Sequence, residues 1–204
     1  MASSASLPAK GSSRLLNPML LLRLKEETRE EQKRLERDLG LDRPDLRLVS
    51  YIPILERLYG FYLPWEVQIE EALKPRLGGF ALARRKSYKL EADLRYVGLD
   101  PESVRFCAKL PEYKNVPEAL GGMWVAEDAV LRGQIISRHL ERTLDFAGGA
   151  GYSFFTSYGP DAGRMWQGFQ QALLENTPPG SESAVIESAR QTLRAMHQWL
   201  CRPK

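Results

Sequence analysis

The sequence predicts an all-helical fold in a single domain. Three observations carry that prediction. Apolar residues recur at three- and four-residue spacing through most of the chain, no segment alternates apolar and polar residues as a half-buried strand does, and glycines and prolines fall mainly between the periodic segments. A chain of 204 residues is long enough to bury a full core without disulfides or metals as staples.

Residues 1–17, rich in Ser and Ala, lack periodicity and read as a disordered N-terminal tail, with the helical domain spanning 18–202. A first helix is expected over 19–39, ending at Gly40, with its inward stripe at Leu21, Leu24, Thr28, Gln32, Leu35 and Leu39. That stripe has a polar gap at Thr28 and Gln32. Asp42 or Asp45 is placed to cap a second helix over 46–73, rich in aromatics, in which Pro53 and Pro64 predict kinks or a break. The Gly78-Gly79 pair reads as a turn, followed by a helix over 81–96 whose Arg84-Arg85-Lys86 reads as a solvated basic face. An irregular connection follows over 100–117, holding three prolines. Beyond the central helix, 148–163 reads as an aromatic loop, 165–174 as a short helix, and 184–200 as a last amphipathic helix.

The central helix, 121–140, is the unusual element. At 3.6 residues per turn Val125, Asp128, Arg132, Ile135 and His139 share one face, so an acid and a base stand one turn apart among aliphatic residues. Gly133 in its middle costs about 1 kcal/mol against alanine, a cost tolerated where a backbone or a flat ligand must come close. Two readings stay open at this point: a buried ion pair beside an incidental glycine, or a wall shaped for a ligand.

Composition narrows the function. A net charge of +3, with basic residues interspersed among acids, gives no argument for nucleic acid. The apolar run 19–24 is too short for a signal peptide or a membrane span. Cys107 and Cys201 lack metal or redox spacing and point to a reducing compartment, the cytoplasm. Two histidines, His139 and His197, are too few and too separated for a multi-histidine metal site, and no set of four carboxylates and two histidines at bundle-core spacing suggests a di-metal enzyme.

Short motifs spread over most of the chain carry a resemblance. They are Thr28, Leu35 and Glu36; Leu-Tyr-Gly-Phe-Tyr-Leu-Pro-Trp-Glu at 58–66; Arg84-Arg85-Lys86 with Leu90, Asp93, Leu94 and Gly98; the segment 131–140; Phe154-Phe155 with Tyr158-Gly159; and Met165-Trp166 with Phe169. In this order they resemble the heme oxygenase family, in particular the bacterial biliverdin-producing type found beside phytochromes. The resemblance implies a heme-oxygenase-like helical bundle in which haem lies between a first helix that supplies a proximal histidine and a central helix whose glycines approach the porphyrin. It implies oxidation of haem to biliverdin, carbon monoxide and iron.

Carried over residue by residue, the pattern departs at the ligand positions. The proximal histidine position is Gln32, and two central-helix glycine positions are Asp128 and Arg132, with Gly133 kept. A glutamine amide is a weak donor to iron compared with imidazole, and the two charged residues add bulk where the macrocycle lies. Lys25 matches a position at which the family places a partner for a haem propionate. The expectation is therefore a non-catalytic, degenerate member, a pseudoenzyme with no catalytic or metal-ligating residue. It binds a protein partner or a tetrapyrrole, haem or biliverdin, without iron ligation, through Lys25, Thr28, Gln32, Asp128, Arg132 and Gly133. The alternative is an active heme oxygenase with a substitute ligand.

Overall fold

The computed structural model describes residues 17–146 and 148–202, so the tail expected over 1–17 lies, but for Asn17, outside the described residues. Eight α-helices follow in order: α1 Met19–Glu27, α2 Arg29–Leu39, α3 Leu48–Leu82, α4 Ser87–Tyr96, α5 Val116–Thr143, α6 Ser153–Thr156, α7 Ala162–Glu175 and α8 Glu182–Leu200, with two short 3-10 turns between them. No strand occurs among the described residues. Helices α5 and α8 form the most extensive pairing; α3 packs on both, α4 packs on α3, and α1 and α2 pack on α8. None of the described helices is long and apolar enough to cross a membrane.

The helix expected over 19–39 is divided at Thr28 (φ −101°, ψ −5°), whose hydroxyl donates to the Leu24 carbonyl at 2.6 Å. Such back-bonding bends a helix without ending it, and the inward stripe continues through the bend. Leu24, Thr28 and Leu35 are buried, while Leu21, Gln32 and Leu39 are half-buried.

In α3 the break foreseen from its prolines does not occur. The helix runs through Pro53, Pro64 and Pro75, and its single departure from helical backbone is at Leu77 (φ −137°, ψ 28°). Pro64 has no N–H to offer the carbonyl of Gly60, four residues back. That carbonyl instead accepts the Cys107 N–H at 2.9 Å, and Gly60 leaves no room for a Cβ against the Arg105 carbonyl. The connection between α4 and α5 thus docks on α3 at a position the proline frees. Tyr113, further along it, takes a hydrogen bond from Trp65 Nε1 at 2.8 Å and shares one with Thr192 at 2.8 Å, tying α3 to α8.

The turn expected at Gly78-Gly79 is met one residue earlier by a kink at Leu77, and the full break follows at residues 83–86. It falls there because Glu66, on α3, accepts the backbone N–H groups of Lys86 (2.6 Å) and Ser87 (3.1 Å) and so caps α4 from a neighbouring helix. The central helix starts five residues before the expected 121: Asn115 accepts the Glu118 N–H at 3.0 Å while Glu118 accepts the Lys114 N–H, a reciprocal cap with Pro117 in the first turn. Within the expected aromatic loop, α6 forms a single turn. Its N-terminal N–H groups, those of Ser153 and Phe154, bond both oxygens of the buried Asp93 on α4 at 2.8 and 2.9 Å.

Candidate functional site

A cavity of about 290 Å³ lies between α2 and α5, with α3, α6 and α8 completing its wall. Its sides are apolar: Leu35 and Leu39 from α2, Leu58 from α3, Val125, Ala126, Ala129 and Val130 from α5, Phe154 and Phe155 from α6, Met196 and Leu200 from α8. Polar groups gather at the two ends. Gln32, Glu36, Asp42 and Arg132 stand at the partly exposed mouth, and Tyr62, Lys86 and Ser157 at the buried end.

At the mouth the i, i+4 pair of the central helix is formed, with Arg132 Nη2 2.7 Å from Asp128 Oδ2. Arg132 also reaches across the cavity, its Nε 2.6 Å from Glu36 Oε1 on α2. The same oxygen accepts Gln32 Nε2 at 2.8 Å. The result is a chain Asp128, Arg132, Glu36, Gln32 that strings α5 to α2 and occupies the glutamine amide nitrogen. With side chains from 19% to 45% exposed, the ion pairs contribute at most about 1 kcal/mol each.

The buried end holds a cluster that the sequence reading placed elsewhere. Arg84 and Lys86, expected on a solvated face, are 8% and 4% exposed. The break after α3 turns them inward onto Glu127, a 1% exposed acid on α5. Lys86 Nζ donates to Glu127 Oε1 at 2.6 Å, to the Tyr158 hydroxyl at 2.9 Å and to the Arg84 carbonyl at 3.3 Å, which uses all three of its N–H groups. Tyr158 in turn donates to Glu127 Oε1 at 2.6 Å. Burial and the neighbouring Glu127 hold the Tyr158 phenol far above its usual value, so it stays a donor. Arg84 lies 3.7 Å from Glu127 Oε2, its basicity reduced by burial and partly restored by Glu127. It also donates to the Met165 carbonyl at 3.1 Å. Burial raises Glu66 as well, opposed by its hydrogen bonds to α4.

Of the six residues singled out from the sequence, three line the cavity: Gln32, Arg132 and Gly133. Asp128 braces Arg132 from the same helix. Thr28 is buried against its own helix, and Lys25 is exposed on α1; neither lines the cavity. At Gly133 a Cβ would collide with the Phe155 carbonyl, so the close approach this glycine permits is that of α6 backbone. Sequence reasoning missed Tyr62, Lys86 and Glu127. The available signal was Glu127 itself: a charge closing the otherwise apolar run Ala119–Glu127 demands a cation, and Arg84-Arg85-Lys86 was an uncommitted basic set.

An iron-ligated haem does not fit these residues. The wall offers no imidazole: His139 Nε2 lies 3.0 Å from the Arg43 carbonyl, His197 Nε2 lies 2.8 Å from Asp38, and neither lines the cavity. Gln32, its amide nitrogen donating to Glu36, offers iron only an amide oxygen, a weak donor, and the Met196 thioether is the one soft donor in the lining. Among the described residues no group of three or more His, Cys, Asp or Glu side chains is placed to hold a metal ion.

Neither a protein-family model nor any curated protein matches the sequence. Solved structures do match in shape. The NO- and CO-bound heme oxygenase of Neisseria meningitidis superposes with a TM-score of 0.70 at 21% identity, covering 89% of each chain. The heme oxygenase of Leptospira interrogans gives 0.70 at 18% identity over 89% of this chain and 98% of that one. Heme oxygenase-1 of the cyanobacterium Synechocystis, in complex with heme, gives 0.70 at 14% identity over 89% and 90%. With the helix order, the single bundle and the cavity between α2 and α5 already established, the likeness makes the architecture plain: this chain has the heme-oxygenase fold.

Proposed function

We propose that this chain is a binding protein built on the heme-oxygenase fold, one that holds an apolar ligand between α2 and α5 and does not degrade haem. The observation that carries this reading is position 32. In the wall where the resemblance calls for an imidazole stands a glutamine whose amide nitrogen is already bonded to Glu36 at 2.8 Å. Haem oxidation needs an axial ligand that tunes the iron for dioxygen, and an amide does not supply it. The apolar walls themselves ask for no ligation.

The test is an absorption titration of the purified protein with haemin, protoporphyrin IX and biliverdin, followed by ascorbate. The expected outcome is no biliverdin formed from haemin and no ligated Soret band. A sharp Soret band with haemin that decays to the spectrum of biliverdin in the wild-type protein overturns the reading and makes the chain an active heme oxygenase with a substitute ligand.

A further inference from the structure

The two polar ends of the cavity specify more than its apolar walls do. At the buried end Tyr62 is 3% exposed and lines the cavity, packed edge-on against Phe154 with ring centroids 4.9 Å apart. Among the described residues none hydrogen-bonds its hydroxyl, and burial together with Glu66 and Glu127 holds the phenol well above its usual value. It is a protonated donor on the cavity wall without a partner. Lys86, beside it, has no donor left, since Glu127, Tyr158 and the Arg84 carbonyl take all three. At the mouth two acids, Glu36 and Asp42, line the cavity beside a single cation, Arg132, which Glu36 and, from its own helix, Asp128 already engage. The mouth therefore disfavours a carboxylate, and the buried end offers one no free ammonium N–H.

Size points the same way. An apolar cavity of about 150 Å³ takes a benzene, so one of about 290 Å³ has room for two or three rings. A free-acid tetrapyrrole must displace Arg132 and then present two propionates to an acidic rim.

Resting on the binding reading above, we propose that the cavity is a site for an uncharged or cationic apolar molecule of two or three rings, carrying a hydrogen-bond acceptor that meets the Tyr62 hydroxyl, and that it selects against carboxylates. Tyr62 fixes the orientation of the ligand, and Glu36, Asp42 and Asp128 set the charge that is refused.

The experiment is a fluorescence titration with 6-propionyl-2-(dimethylamino)naphthalene, a neutral two-ring ketone whose emission reports hydrogen bonding to its carbonyl, alongside the matching carboxylate, 6-(dimethylamino)-2-naphthoate. Saturable 1:1 binding of the ketone is expected, with the carboxylate at least about tenfold weaker. Tyr62→Phe, which keeps the ring and its packing, should weaken the ketone about tenfold and shift its bound emission to the blue. Asp42→Asn with Asp128→Asn should narrow the gap between ketone and carboxylate. No saturable binding of the ketone, equal binding of the two probes, or unchanged affinity and emission in Tyr62→Phe each overturns the proposal. Conversion of haemin to biliverdin is scored separately, and that result sinks the binding reading whatever the naphthalenes do.

Discussion

Lys86→Met puts the buried cluster to a quantitative test. The side chains of Lys86 and Glu127 are 5% and 1% exposed with 2.6 Å between their charged atoms, so solvent screening gives little discount. Removing the ammonium leaves Glu127 with the Tyr158 hydroxyl and an Arg84 guanidinium 3.7 Å away. Loss of one partner from a buried pair costs about 3–5 kcal/mol, because the remaining charge keeps its desolvation without its counterion. In a domain of this size about 1 kcal/mol corresponds to roughly 2–4 °C, so the melting temperature should fall by about 6–20 °C. The assay is urea and thermal unfolding followed by circular dichroism, with Lys74→Met as control. Lys74 forms a surface pair with Glu71 at 3.5 Å, its side chain 70% exposed, and its loss should stay within about 0.5 kcal/mol. Lys86→Met with Glu127→Gln should recover part of the loss, since the stranded charge is removed. A Lys86→Met cost no larger than that of Lys74→Met, or a double variant worse than the sum of its parts, would refute the claim that these groups form one buried electrostatic unit.

Three further outcomes follow from the geometry. Gly133→Ala should destabilise by about 1–3 kcal/mol, because its Cβ meets the Phe155 carbonyl, whereas Gly163→Ala in α7, with open space around it, should be neutral or slightly stabilising; thermal melts compare the two. Glu66 has a folded pKa raised above its ordinary 4.5, chiefly by burial, so its stabilising contribution is full below that value and is lost as pH rises through the folded value. The urea midpoint of Glu66→Gln, measured against pH, should therefore decline less than that of the wild type over that rise; a steeper decline in the variant refutes the sign. Arg132→Met should cost at most about 2 kcal/mol, as its two pairs are half-exposed, yet admit larger ring systems to the cavity, read by comparing the affinities of two-ring and four-ring probes.

The helices were legible where local periodicity and tertiary packing agree. The inward stripe of α1 and α2, the Asp128–Arg132 pairing and the extent of α8 all follow from spacing within one segment. What escaped depends on groups far apart in sequence. Gly78-Gly79 carries a strong turn signal, yet the helix only kinks beside it at Leu77 and ends at 83–86, where Glu66 is available to receive the freed N–H groups of α4. The run Arg84-Arg85-Lys86 has the composition of a solvated face. Only the break in direction, fixed from α3, brings Lys86 onto Glu127, 41 residues away. Asp93 caps a one-turn helix 60 residues beyond it, which no local pattern announces. Of the candidate site, Gln32, Arg132 and Gly133 were readable because they share the faces of two long helices. Tyr62 was read only as one aromatic among several, since its free hydroxyl is a property of the assembled cavity.

Pro64 shows how a local defect becomes a means of attachment. In isolation it is the worst residue for the middle of a helix, costing about 3 kcal/mol. Here the carbonyl it orphans is the one that Cys107 uses, four residues back at a glycine that leaves the approach clear. A helix former at position 64 would supply its own N–H to that carbonyl and compete with the segment docked there. Pro64→Ala is thus expected to strengthen α3 as a helix while loosening the connection laid across it, visible as faster amide exchange at Cys107. A glycine followed four residues later by a proline, inside an otherwise convincing helical pattern, then reads as a docking point for another part of the chain rather than as the end of the helix.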